Sequence, residues 1–305
     1  MEKFAALFVI IGASLWGVDG IVLRPSLYTL PVQLVVFIET SLATVLLTPF
    51  FIKNFGALKK LAPMDWLSFL AVALFGGAIG TMAITKALFY VNFVNLSIVV
   101  LIQKLQPVFA ISLAALLLKE RLPRVFFIWA GIALIGAYIM TFGFHLPNWY
   151  AGNKTAMAVL YAMIATISFA SSTVFSKRAL KNVEFKMGTY LRFSLTALMM
   201  LIIVALSQDF SKVADITSRQ AFIFALIVFS SGAPAIFLYY YGLKHITASV
   251  ATIAELAFPL TAIVLEYFVH GNMLSIVQWF GVGILLFSII RVGQIQNLLK
   301  TQEAG

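Results

Sequence analysis

The sequence predicts an all-α integral membrane protein of about ten transmembrane helices in two inverted five-helix repeats. Three observations lead there. The chain of 305 residues is 62% hydrophobic and 10% charged, with a mean hydropathy of +1.02, far from the balance of a soluble domain. Its apolar runs are long enough to cross a bilayer and apolar on every side, as lipid-solvated helices are. One stretch also occurs twice, Asn95–Leu122 matching Thr247–Leu274 at an offset of 152. That offset superposes Pro107 on Pro259, Gly80 on Gly232, Ala83 on Ala235, Ser97 on Ser249 and Gly131 on Gly283. Matches spread so widely at one spacing point to internal duplication rather than to shared helical composition.

Taken in order, the spanning runs are Ala5–Leu23, Val32–Ile52, Trp66–Tyr90, Leu96–Leu118 and Val125–Gly143. A polar break from Pro147 to Lys154 follows. Beyond it lie Ala156–Ser176, Met187–Leu206, Gln220–Gly242, Ala248–Val269 and Ile276–Gly293. The links carry Pro, Gly, Asn and charge, as helix-terminating segments do. The expected repeats are residues 1–147 and 154–300. The first run lacks a small-residue cleavage site before the next one and is read as a retained helix.

Five crossings per half make the second half enter from the opposite face. With the N-terminus inside, Lys and Arg number fourteen on inner segments and four on outer ones, the four being Arg24, Lys154, Lys212 and Arg219. The positive-inside bias then puts both termini in the cytoplasm. The net charge of +10 thus reports orientation beside anionic headgroups, and no nucleic-acid partner is expected. There are no cysteines, hence no disulfide and no thiolate metal site. None of His145, His245 or His270 belongs to an H-E-x-x-H pair, and no G-K-[ST] phosphate loop occurs, so neither metal nor ATP nor any other cofactor is expected.

Several motifs resemble one family. They are Leu15-Trp16-Gly17 with Arg24 eight after the Trp, Gln106-Pro107-Val108-Phe109-Ala110 running into Lys119-Glu120-Arg121-Leu122, and the Gly131–Gly136 segment. Arg192, Tyr241-Gly242-Leu243, Phe258-Pro259-Leu260 and Gly281–Gly283 continue them in the second half. Over nearly the whole chain the sequence resembles the drug/metabolite transporter superfamily, in its form with two EamA repeats. The resemblance implies inverted five-helix repeats and a small-solute site between them. It departs from the family pattern at Glu39, where Arg is frequent, and at Asn272, which stands opposite Glu120 in the repeat.

Charge at a helix centre costs roughly 2.5–3.5 kcal/mol per residue, so each intramembrane charge needs a reason. Lys86 and Glu266 lie about a turn from helix ends and are read as snorkelling. Asp19, Glu39 and Lys104 lie about 7–12 Å below the outer surface, and Arg192 and Glu255 at similar depth from the inner one. Under the duplication Glu39 falls near Arg192 and Gln103 on Glu255. This suggests one ion pair per half, Glu39–Lys104 and Arg192–Glu255, either lining the passage and binding solute or proton, or merely neutralising one another.

Pro107 and Pro259 are expected to kink their helices and free the carbonyls of Gln103 and Glu255 toward protein or a wet cavity. Trp16, deep in the first helix, is the aromatic candidate for contact with solute, by stacking or by cation–π attraction. Tyr239, Tyr240 and Tyr241 are read as a cytoplasmic belt from which one ring could face the pathway. Gly76, Gly77, Gly80, Ser230, Ser231 and Gly232 are small enough for close helix approach. The candidate substrate-binding set is therefore Trp16, Asp19, Glu39, Gln103, Lys104, Arg192, Tyr239 and Glu255.

The expected activity is secondary transport of a small metabolite across a cell inner membrane by alternating access. An amino acid or amine fits the mixed charges and aromatics, with protons as candidate coupling ion, and export is the direction the resemblance implies. A channel-like uniporter, a lipid or drug flippase and a membrane enzyme are the alternative readings. The partners expected are the solute and the bilayer, with the chain a monomer or homodimer.

Overall fold

A computed structural model describes residues 4–90, 99, 102–146, 155–270 and 274–303. Asn95, Asn272, the break 147–154 and the Glu266 side chain lie outside the described residues. The chain is all-helical. Among the described residues eight helices are long and apolar enough to span a bilayer: α1 (Ala5–Leu27), α2 (Val32–Phe51), α3 (Pro63–Ala87), α5 (Arg124–Phe142), α6 (Ala156–Ala179), α7 (Phe185–Ser207), α8 (Ser218–His245) and α10 (Ile276–Ile295). Two shorter apolar helices, α4 (Gln106–Leu118) and α9 (Ala248–Ala262), complete the ten. Leu116, Leu206, Phe268 and Ile276 are largely exposed, an apolar exterior that only lipid covers without cost.

Duplication is visible in which helices touch. The offset takes each of the first five helices to one five further on. Helix α1 packs on α8, and α3 packs on α6; α1 packs on α9, and α4 packs on α6. Each pair is the image of the other. Among the other pairs, α2 with α7, α4 with α9 and α5 with α10 map onto themselves, while α3 with α7 is the image of α2 with α8 and α7 with α8 that of α2 with α3. Such a pattern is that of a pseudo-two-fold axis between halves entering from opposite faces, as an odd helix count requires.

Small residues set the closest approaches. A Cβ on Gly242 would lie 2.5 Å from the Ala5 carbonyl oxygen, and one on Gly12 would lie 2.8 Å from the Ala235 carbonyl oxygen. Without side chains there, α1 lies flush against α8.

Four segments of these helices widen into π-helical turns: Asp19–Leu23, Ala73–Ile79, Ala114–Leu118 and Val228–Gly232. The second and fourth occupy corresponding positions in the two repeats. π-Turns concentrate at functional sites because they turn side chains and carbonyls out of helical register.

The prolines act differently from expectation. Helix α4 begins anew at Gln106 after a turn at Lys104–Leu105, and Pro107 sits in its first turn. Helix α9 is broken at Glu255–Leu256, and Pro259 is the third residue of the continuing Ala257–His270 segment. In a first helical turn the N–H has no intrahelical acceptor, so proline there removes nothing. These are restarts rather than kinks. The Glu255 carbonyl is not freed, because it accepts from the Phe258 N–H at 2.9 Å. In the first half the Thr166 hydroxyl of α6 lies 3.2 Å from the Ile102 carbonyl at the break.

Candidate functional site

Between α1, α2, α3, α7 and α8 lies a cavity of about 140 Å³. Three of the four π-turns reach it, through Asp19, through Gly76 and Gly77, and through Val228, Ser231 and Gly232. Trp16, Arg24, Glu39 and Arg192 also line it.

Its polar centre is a triad. The π-turn at Asp19–Leu23 runs into a 3₁₀ turn at Arg24–Leu27, which curls Arg24 back over the helix end. The Arg24 Nη2 donates to Asp19 Oδ2 at 2.6 Å and to Glu39 Oε2 at 3.2 Å, and its Nε donates to Asp19 at 3.1 Å. One guanidinium thus bridges two carboxylates from α1 and α2, a task suited to its planar fork. Each carboxylate keeps a second oxygen, Asp19 Oδ1 and Glu39 Oε1, buried without a hydrogen-bond partner among the described residues.

This overturns the first expected ion pair. Glu39 pairs with Arg24, not Lys104. Arg24, counted in the sequence as an outer orientation charge, is a member of the site. Lys104 is buried at the turn before α4, where its Nζ meets no partner among the described residues, and it does not line the cavity.

The second expected pair is also absent. Glu255, at the break in α9, binds three neutral donors: Tyr239 Oη at 2.6 Å and Thr173 Oγ1 at 3.1 Å on Oε1, and Gln106 Nε2 at 2.7 Å on Oε2. Arg192 instead lies over the Tyr240 ring, 5.8 Å from its centroid, and reaches the Tyr240 hydroxyl at 3.5 Å. Residue count along a helix sets depth and leaves the partner open.

Gln103, the repeat mate of Glu255, donates to Thr166 Oγ1 at 2.9 Å and to the Ala162 carbonyl at 3.2 Å. The residue that meets Glu255 across the halves is Gln106. Tyr239 and Tyr240 are buried, at 2% and 0% exposure, so two of the three expected belt tyrosines belong to the interior. Tyr241 packs edge-on against Phe8. The Trp16 and Tyr239 rings lie 5.2 Å apart, linking the cavity wall to the Glu255 cluster. Lys86 is exposed, with its Nζ 5.7 Å from the Tyr161 ring, in keeping with snorkelling.

The model of the EamA-like transporter family matches this chain twice, over residues 3–142 and 156–293. The chain belongs to the EamA-like transporter family. It is 45% identical over 294 residues to the riboflavin transporter ImpX of Fusobacterium nucleatum, covering 95% of this chain and 97% of that protein. It is 26% identical over 258 residues to the uncharacterized transporter sll1164 of Synechocystis, covering 81% and 70% of the two chains. A solved crystal structure superposes with a TM-score of 0.70 at 15% identity over 99% of each chain, which shows a shared fold. This EamA-type protein is therefore a multi-pass membrane transporter of a small molecule, not an enzyme. Among its described residues no group of three or more His, Asp or Glu could hold a metal ion.

Four residues that line the cavity or bind Glu255 were not among the sequence's candidate binding residues: Arg24, Gln106, Thr173 and Ser231. Gln106 stands next to Pro107 in a motif already singled out, and Ser231 in a cluster read as packing. Thr173 gave no signal, because a hydroxyl in an apolar helix most often bonds its own backbone.

Proposed function

We propose that this chain is a carrier of a flavin, with riboflavin as the first candidate, in a bacterial inner membrane with both termini cytoplasmic. The observation that carries the reading is the 45% identity, over nearly the full length of both chains, to a transporter named for riboflavin. The cavity supports it. Two acidic and two basic side chains line it, Asp19, Glu39, Arg24 and Arg192, so their formal charges cancel and a neutral solute enters without an uncompensated charge. Trp16 offers an aromatic ring at the wall, backed by Tyr239, and a planar heterocycle stacks on such a ring. A flavin thus replaces the amino acid or amine expected from the sequence.

The cavity of about 140 Å³ is smaller than the roughly 300–1,000 Å³ of sites that enclose drug-sized ligands. A flavin enters when the halves, residues 1–147 and 154–300, move apart on one face, and it leaves when they part on the other. This is alternating access. The proposed set of solute-contacting residues is Trp16, Asp19, Arg24, Glu39 and Arg192. Tyr239 and Glu255 stand behind them. Gln103 and Lys104, which do not line the cavity, leave the binding set.

The test is riboflavin flux into liposomes holding purified protein, as a monomer or homodimer. Saturable uptake with counterflow, unaffected by excess amino acids or amines, is the expected result. Stimulation by an imposed pH gradient assigns protons as coupling ion. Absence of both flavin binding and flavin flux overturns the proposal.

A further inference from the structure

We infer that the Asp19–Glu39–Ser231 side of the cavity is a recognition site for a hydroxyl-bearing chain, the polyol tail of the solute rather than its ring. The inference rests on the flavin reading and goes beyond it by assigning an end of the molecule to a set of atoms. Five buried side-chain polar atoms lack a hydrogen-bond partner among the described residues: Asp19 Oδ1, Glu39 Oε1, Ser231 Oγ, Lys104 Nζ and Thr252 Oγ1. The first three belong to residues lining this one cavity and come from three helices, α1, α2 and α8. Asp19 is 6% exposed and Ser231 4%.

Buried polar groups are nearly always paired, and leaving one unpaired is expensive. Three around one cavity are groups whose partner is a ligand. Their chemistry restricts that ligand. Ionised carboxylates are acceptors only, and their partner oxygens are already taken by Arg24. The free oxygens therefore call for donors. A hydroxyl such as Ser231 both donates and accepts. A ligand segment that donates at two points and exchanges a bond at a third is a run of hydroxyl groups, since each O–H donates and still accepts. The Arg24 bridge holds both carboxylates in place before the ligand arrives, which lowers the ordering cost of binding.

A bare cation would also satisfy oxygen acceptors. The triad carries one excess negative charge, but Arg192 on the same cavity cancels it. A neutral donor chain leaves that balance intact, and a cation does not.

The experiment compares riboflavin with lumiflavin, which keeps the tricyclic ring and has a methyl group where riboflavin has the ribityl chain. Equilibrium binding to the full-length protein in nanodiscs is read by flavin fluorescence. Wild-type protein should bind riboflavin at least about tenfold more tightly than lumiflavin, because sites built to bond a hydroxyl reject analogues that lack it. Ser231→Ala and Ser231→Gly, which remove the hydroxyl and leave the Arg24 bridge untouched, should each weaken riboflavin by about 5–30-fold, the loss of one buried hydrogen bond, and change lumiflavin less than about twofold. Retained lumiflavin binding also reports that the variants fold. Equal affinity of wild-type protein for the two flavins, or variants that weaken both alike, overturns the polyol assignment and leaves the flavin reading standing. Binding of neither flavin by wild-type protein overturns both. Tighter riboflavin binding on adding sodium or potassium ions assigns the free oxygens to a cation and overturns the polyol assignment.

Discussion

Glu120 holds Ser249 across the two halves. The carboxylate of Glu120, just past the end of α4, accepts from the Ser249 hydroxyl at 2.6 Å, the Ser249 N–H at 3.1 Å and the Ala248 N–H at 2.7 Å. It thereby caps the first turn of α9, where N–H groups lack intrahelical acceptors and the helix dipole favours an anion. One side chain of the first repeat closes the second repeat on the face that carries Lys119, Arg121 and Lys177. Under the alternating access proposed here, the halves part on that face once per cycle and this contact breaks.

Glu120→Ala should therefore favour the state open on that face. The chain has no cysteine, so a single cysteine replacing the buried Ala248 is a clean reporter. In the Glu120→Ala background its reaction with a maleimide should accelerate at least about tenfold, corresponding to loss of roughly 1.5–3 kcal/mol of charge-assisted bonding. An unchanged rate would mean that Glu120 caps the helix without gating it.

Glu255 is held, among the described residues, by three neutral donors, so its place depends on being an acceptor at both oxygens. Glu255→Gln turns an amide NH₂ against a donor. It should destabilise the protein by about 1–3 kcal/mol, read as a lower unfolding temperature in detergent. Adding Gln106→Glu restores one acceptor opposite one amide and should recover part of the loss. No recovery in the double variant would argue that the Gln106 contact contributes little.

Arg24 bridges two carboxylates at once. Arg24→Ala leaves both in a largely buried site and should cost roughly 2–3 kcal/mol, more than either Asp19→Asn or Glu39→Gln, because breaking a buried ion pair strands charge. Arg24→Lys should rescue only partly, since an ammonium lacks the fork that spans two carboxylates. Thermal unfolding of the four variants in one detergent gives the ranking.

The two-fold packing of ten helices was legible because apolar length and a repeat offset survive in one dimension. Partners within the site were not. Depth along a helix follows from residue count, which put Glu39 and Lys104 at one height. The π-turn at Asp19–Leu23 then rotates the end of α1 out of register and delivers Arg24 to Glu39 first. No pattern of residue types announces such a turn. Pro107 reads equally well as a kink or as a first-turn residue, and only the turn at Lys104–Leu105 separates the two. Trp16 and Asp19 could be picked out because a motif tryptophan and an intramembrane charge are costly enough to need a reason.

Glycines give the sharpest contrast between repeat and packing. Gly131 and Gly283 are the pair that the duplication superposes, yet a Cβ on either would meet nothing within 4 Å among the described residues. Gly136 and Gly281, unmatched at that offset, are where α5 and α10 touch. A Cβ on Gly136 would lie 2.8 Å from the Leu285 nitrogen, and one on Gly281 would overlap the Met140 backbone nitrogen. Backbone cannot move aside as a side-chain tip can. Gly281→Ala should thus cost roughly 2–4 kcal/mol and separate the helices that join the halves. Gly283→Ala should be neutral or stabilising by up to about 1 kcal/mol, since alanine is the better helix former. Unfolding temperatures of the two variants, measured side by side, decide whether these helices meet where the contacts put them; equal losses at both positions would count against that interface.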